Sequence, residues 1–515
     1  MGEYFRMSKS AQLNRSILYS AGTLMALTVG IKLLAFIKQS VLAGWFGADP
    51  SLDLYLLTAD TLGDFSAAIF SALSIATMTF YISIKEKNGQ GVALAFIKRV
   101  FKIFFPVAIL LALIFFISSD NLAEVLAIHY TDEKRKIVSE YIRYLSPIII
   151  FLFVTYLIVS ILDAEKKFWP GKMIGFTLSI FIITATIFGG NKYGTKALII
   201  AYTAAYFVHM IMVLFCARKY VFGIPKVQTV ICVKPFLKMM IPIIFGNLAV
   251  ELNALIDKLL ATNVGSGALS VQTFGSTLNS FVVSILIVAP TGVLVSYLST
   301  SLAKQQADKV KAYTRDTITL LLALLLPIAV ITFVWSDKIV SIVYQRGAFT
   351  SYDVQRTAET LRGYALGFPL LAVRETLIKA HLAFKDSKTV MTNSAISIIC
   401  NIILSIFLCK MFGLFGISLA TSIAGGIAMM LCMVTIQKHI KYLFNYGFLL
   451  EIGKLLISCI PIAAVALCLK KATLSGYTFV DFLILIIVAA GIHGLVLYGL
   501  KTRTFLLVKR KIKRK

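Results

Sequence analysis

Ionisable residues stand inside runs that are otherwise apolar. The stretch GTLMALTVGIKLLAFIKQSVLAGWFG holds Lys32 and Lys38, DLYLLTADTLGDFSAAIF holds Asp53, Asp60 and Asp64, and NLAVELNALIDKLL holds Glu251, Asp257 and Lys258. A further group, Arg374, Glu375 and Lys379, interrupts FPLLAVRETLIKAHLAF. A charge at the centre of a bilayer costs about 2.5 to 3.5 kcal/mol on insertion scales, so such a group faces protein or water and marks a functional candidate. Spacings of seven and four residues put Asp53, Asp60 and Asp64 on one helical face. Asn247, Glu251 and Lys258 share a face in the same way. At about 1.5 Å per residue, Lys38 lies about 9 Å further out than Lys32 and roughly level with Asp60 and Asp64 on an antiparallel neighbour. Facing each other, these polar stripes would line a central, water-filled cavity.

The other reactive residues form no catalytic constellation. Seven cysteines, Cys216, Cys232, Cys400, Cys409, Cys432, Cys459 and Cys468, include no CxxC pair, which indicates neither a metal site nor a disulfide framework. Five histidines are scattered, with no HExxH and no neighbouring nucleophile. His209 and His493 lie in apolar runs, where a packed, hydrogen-bonded histidine is the expectation. These features argue against an enzyme and imply no cofactor.

The elements that position the charges are membrane spans. Of 515 residues, 58% are hydrophobic and 15% charged, far from the composition of a soluble domain. Hydropathy and loop signals predict an all-α polytopic membrane protein with about fourteen spans, near 17–43, 53–84, 93–118, 139–163, 172–189, 195–216, 236–262, 269–300, 314–335, 355–382, 389–410, 413–437, 450–470 and 479–500. The net charge of +27 resides mostly in short loops between spans. That pattern follows the positive-inside rule rather than nucleic-acid binding. Alternate connections hold Arg6, Lys9 and Arg15, then Lys98, Arg99 and Lys102, then Lys309 and Lys311, and finally KRKIKRK; the intervening loops GWFGADPSLD and TNVGSGALS hold no basic residue. Both termini are therefore expected in the cytoplasm. The N-terminal sequence carries no cleavable signal pattern and fails the myristoylation pattern at Arg6.

Spans one to six and seven to twelve begin on the same plan: a span, a short glycine-containing outer loop, and a long span ending at a basic loop. The expected organisation is an N-lobe over 1–216, a cytoplasmic linker over 217–235, and a C-lobe over 236–437. Helices thirteen and fourteen follow over 438–500, then a basic tail over 501–515. Two six-helix repeats around a central cavity are a known transporter architecture.

Three stretches carry a family resemblance. SVLAGWFGADPSLDLYLLTAD, ALIDKLLATNVGSGALS and IVYQRGAFTSYDVQRTAETLRGYALGFPLLAVRETLIKAHLAFKDSKT resemble the MurJ/MviN lipid II flippases of the multidrug/oligosaccharidyl-lipid/polysaccharide exporter superfamily, and the resemblance spans nearly the whole chain. It implies a flippase of the bacterial cytoplasmic membrane that moves an undecaprenyl-pyrophosphate-linked sugar, lipid II first among them, from the inner to the outer leaflet by alternating access. It further implies that Lys32 and Lys38 take the place of the family's first-span arginines, that Asp53 matches its acidic position after the first span, and that Asp257 and Lys258 match its seventh-span aspartate-arginine pair. The last two spans would hold the lipid tail. The chain departs from the family in lacking arginines in the second span and at the start of the eighth. Another lipid-linked polysaccharide unit, or export of a small solute coupled to a proton or cation, is the alternative on the same fold. The expected substrate-binding set is Lys32, Lys38, Asp53, Asp60, Asp64, Glu251, Asp257 and Lys258, with membrane lipids and the lipid-linked sugar as partners.

Overall fold

The computed structural model describes residues 27–221, 233–471, 478–503 and 505. The basic N-terminal segment with Arg6, Lys9 and Arg15, the linker residues 222–232 with Lys226 and Cys232, and the tail KRKIKRK lie outside the described residues. Among the described residues all regular structure is helical. In a membrane the backbone must satisfy its own hydrogen bonds, and a continuous helix does so.

The spans are α1 (Leu27–Phe46), α2 (Pro50–Asn88), α3 (Gln90–Ile117), α4 (Asp132–Ala164), α5 (Trp169–Tyr193), α6 (Thr195–Cys216), α7 (Lys234–Val264), α8 (Ala268–Ala303) and α9 (Ala307–Val334). The next, α10, comes in two pieces, Ser351–Ala365 and Phe368–Ala383, with Pro369 just inside the second. Helices α11 (387–412) and α12 (414–435) form one run, Ser387–Thr435, broken at Gly413 with φ 58° and ψ −134°. The last two are α13 (Tyr446–Lys471) and α14 (Thr478–Gly499). Among the described residues twelve helices are individually long and apolar enough to cross a membrane. Dividing the run at Gly413 and joining the two pieces of α10 gives the expected fourteen.

Two connections expected as loops contain helix instead. Ser119–Leu126 is one turn-rich example and Ser336–Tyr344 the other. The first is held by its own polar residues: Arg143 Nη2 donates to both oxygens of Asp120, at 3.0 and 2.9 Å, and Arg143 Nε donates to Ser119 Oγ at 2.7 Å. A loop rich in both charge signs thus has the partners to fold.

The chain divides into two compact units, residues 1–45 with 50–255 and residues 46–49 with 256–515. In the first, α2 packs on α4 and α6, while α5 and α6 form an antiparallel hairpin. Phe70 and Phe153 meet edge to face at 5.8 Å in its core. In the second unit, Leu298, Ile318, Leu377, Ile436 and Leu455 form one continuous apolar core. The buried Trp335 donates from Nε1 to the Ala466 carbonyl at 2.7 Å, tying α13 to the end of α9. His493 ties α14 to α9 through the Ala323 carbonyl at 2.8 Å, as expected of a packed histidine.

Candidate functional site

Proline begins α2 where its missing N–H costs nothing, and Asp53 in that first turn sits in the favourable field of the helix N-terminus. The Asp53 side chain is fully buried. Tyr130, from the connection before α4, directs its hydroxyl at Asp53 Oδ2, 3.5 Å away. Burial first, and then this carboxylate, push the Tyr130 phenol well above its ordinary range, so it stays a neutral donor. Asp53 therefore anchors the N-terminal end of α2 rather than opening onto free space.

Two and three turns deeper, Asp60 is half-buried and Asp64 exposed. Lys38 of α1 is half-buried and lies in the electrostatic field of both. The depth argument from sequence put Lys38 level with these two carboxylates. Lys32, nearer the start of the described part of α1, is exposed.

Asp64 opens onto a cavity of about 300 Å³ within the first unit, shared with Glu251 and Asn247 of α7, Tyr156 of α4 and Ser71 of α2. Asn247 Nδ2 donates to the Ala68 carbonyl at 3.0 Å and to Ser71 Oγ at 3.1 Å. A carbonyl can only accept, which fixes the amide with its nitrogen on α2. The polar lining consequently holds two carboxylates, an amide oxygen and hydroxyls, and no basic residue. Behind it, Tyr202 of α6 comes close because residue 63 is glycine: a Cβ there would lie 2.2 Å from the Tyr202 hydroxyl oxygen.

In the second unit Asp257 faces Asn401 and Ser405 of α11. The next residue, Lys258, is half-buried. Arg374 and Glu375 pair with each other at 2.9 Å. Lys379, four residues beyond Glu375, is not its partner in this arrangement, contrary to the spacing argument. The short loop after α1 also belongs to this unit. Gly267, in the connection after α7, has φ +70°, and a Cβ on it would lie 1.9 Å from the Ala48 carbonyl oxygen; a Cβ on Gly47 would lie 2.6 Å from the Ala348 carbonyl oxygen. The three sequence stretches that carry the resemblance thus meet at backbone contact distance.

Sequence reasoning missed Tyr156, Tyr202 and Tyr206. Tyr202 and Tyr206 stand with His209 on one face of α6 at spacings of four and three, a polar stripe within IIAYTAAYFVHM that was legible as such. It also placed His209 among hydrogen-bonded histidines. His209 is instead buried with neither ring nitrogen bonded among the described residues, because α6 presents it to an interior without a matching polar side chain.

Comparison with known proteins gives the same picture. The family model described as Lipid II flippase MurJ matches residues 42–489. A probable lipid II flippase MurJ of Rickettsia prowazekii is 25% identical over 476 residues, covering 91% of this chain and 93% of the relative. The lipid II flippase MurJ of Thermosipho africanus is 25% identical over 425 residues, covering 82% and 86%. A solved structure of a lipid II flippase MurJ in an inward closed conformation aligns with a TM-score of 0.80 at 22% identity, over 92% of this chain and 98% of that one. The fold, the span count and the match along nearly the full length agree, and the chain belongs to the lipid II flippase MurJ family.

Proposed function

We propose that this chain translocates lipid II, an undecaprenyl-pyrophosphate-linked disaccharide peptide, from the inner to the outer leaflet of the bacterial cytoplasmic membrane, as a transporter rather than an enzyme, with both termini cytoplasmic. The observation that carries the reading is the family match over residues 42–489. The chemistry of the first unit supports it. A hydrated, anionic head must cross while its tail remains in lipid, so the path needs cations that cost little to expose. Lys32 and Lys38 supply them as hydrated point charges, with Lys32 the chief phosphate contact and Lys38 held in reserve by Asp60 and Asp64. Asp53 anchors the outer end of α2, Glu251 lines the cavity beside Asp64, and Asp257 with Lys258 occupies the family's seventh-span position. A cation or proton at the carboxylates would couple the cycle to an ion gradient.

The test is growth. A bacterium depleted of its own lipid II flippase should divide and keep its shape when this chain is expressed. Lysis at the rate of the empty-vector control, with the protein present in the membrane, would remove the reading.

A further inference from the structure

Arg374 has more donors than the protein around it uses. It stands within the second piece of α10, nine residues or about 14 Å from the end of that helix at Ala383. A guanidinium carries five N–H donors. Among the described residues one of them meets an acceptor: Nη2 donates to Glu375 Oε1 at 2.9 Å. Nε is buried and has no partner among the described residues. The contact with Glu375 is also a poor match in geometry. Successive residues of a helix point about 100° apart rather than towards each other, so one carboxylate oxygen reaches one nitrogen and the two-pronged grip of an arginine on a carboxylate is not made.

Where this arginine stands follows from a pattern that the two units repeat. In the first, a short helix, Ser119–Leu126, precedes α4, which breaks into Asp132–Leu145 and Ile148–Ala164. In the second, Ser336–Tyr344 precedes α10, which breaks into Ser351–Ala365 and Phe368–Ala383. Each helix ends on an alanine followed, two residues on, by a lysine in the left-handed conformation, Lys166 and Lys385, both with φ 61°. Counting back from Ala164 and Ala383 makes Arg374 and Glu375 the counterparts of Thr155 and Tyr156. Tyr156 lines the first unit's cavity with Asp64 and Glu251. The corresponding wall position on α10 holds an arginine and a glutamate. Both act electrostatically on Cys432 of α12, which is buried in the core of the second unit. That sets the pair towards the protein rather than towards lipid. Arg374 keeps 29% of its side-chain surface accessible, enough for an anion to reach it.

We infer that Arg374 is a phosphate-binding residue of the second unit, which takes the pyrophosphate of the lipid-linked cargo on its free N–H groups, and that Glu375 limits how tightly it holds. The inference deepens the flippase reading and rests on it. Phosphate oxygens match the planar guanidinium fork in spacing and direction, a match that an ammonium does not offer. A bilayer phospholipid keeps its phosphate at the surface, whereas the head of a translocated lipid crosses the depth of Arg374. Glu375 gives up its single contact when the anion arrives, and its own charge then favours release. No covalent bond is made or broken.

The test measures binding of fluorescent lipid II, and of farnesyl pyrophosphate, which has the pyrophosphate without the sugar, to the full chain in phosphatidylcholine nanodiscs. Arg374→Gln should weaken both about tenfold or more, the effect of losing a hydrogen bond to a charged group. Glu375→Gln should tighten both several-fold, because it releases Nη2 and removes a like charge. The double variant, Arg374→Gln with Glu375→Gln, leaves no charge unpaired and should bind as weakly as Arg374→Gln, with size-exclusion chromatography reporting its fold; Arg374→Lys should recover part of the loss. A pair that served only to hold the helix would give no gain in binding for Glu375→Gln. Wild-type affinity in the double variant, or equal weakening in the two single variants, would overturn the inference, as would displacement of both ligands by phosphatidylglycerol. Wild-type protein that binds farnesyl pyrophosphate through Arg374 and does not bind lipid II would overturn the flippase reading and leave the phosphate site standing. Binding of neither would overturn both.

Discussion

Lysine in place of arginine changes what the first helix can do. An arginine fork grips a phosphate through two parallel hydrogen bonds, while an ammonium attracts it as a compact hydrated charge and lets go more readily. A lysine can also be captured by nearby carboxylates, and Lys38 stands where Asp60 and Asp64 can capture it. Exchanging the charges should therefore be tolerated better than removing one. Lys38→Asp and Asp64→Lys should each reduce lipid translocation, and the double variant should recover part of the loss; a double variant no better than the worse single one would contradict the pairing. Lys32 carries the stronger expectation. Losing one charged phosphate contact is worth about 1.5 to 3 kcal/mol, so Lys32→Ala should slow translocation about tenfold or more. Lys379→Ala leaves the Arg374–Glu375 pair in place and should change the rate by less than about twofold, the range of an ordinary surface substitution. Equal rates for the two variants at matched protein levels would overturn the ranking. The charged residues were legible in sequence because a charge in an apolar run stands out. The tyrosines were not singled out, because aromatic residues are unexceptional in an apolar span and only the packing of α6 on α2 reveals what they face.

At the scale of elements, the same physics fixes the connections. Thr350 and Asp353 form a capping box at the start of α10, with Thr350 N donating to Asp353 Oδ2 at 2.9 Å and Asp353 N donating to Thr350 Oγ1 at 3.3 Å. Thr350→Ala should lower stability by about 1 kcal/mol, read as a lower thermal midpoint in detergent. Asp386 closes the turn between α10 and α11. It accepts the Thr389 amide at 3.2 Å and pairs with His439 Nε2 at 2.9 Å. The His439 contact first, and the Thr389 side chain next, pull its carboxyl down to about 2. Depression of a carboxylate adds stability that is complete above the unfolded value near 4 and lost as pH falls towards about 2. Asp386→Asn should abolish that acid limb in a pH series of thermal midpoints; an unchanged limb would assign it elsewhere. Helix existence followed from hydropathy, and so did the division of α11 from α12, which the structure makes at Gly413; the break of α10 near Gly367 did not, because hydropathy reports only depth.

For the whole molecule, composition alone excluded a soluble protein, and the concentration of basic residues in alternate loops gave an expected orientation. The family stretches gave more than a label. GWFGADPSLD, NVGSGALS and QRGAFT come together where Gly267 and Gly47 leave room for the carbonyls of Ala48 and Ala348. Gly267→Ala would place a methyl group 1.9 Å from a carbonyl oxygen. It should lower the yield of folded protein in the membrane, read by size-exclusion chromatography of a fluorescent fusion. Net transport is the property to which all three scales contribute, and it is measured most directly with fluorescent lipid II in proteoliposomes challenged by a membrane-impermeant reductant. With the purified chain present, bleaching should proceed past the outer leaflet to nearly all of the probe. Bleaching that stops at about half, as in protein-free vesicles whose two leaflets hold equal lipid, would contradict the central claim.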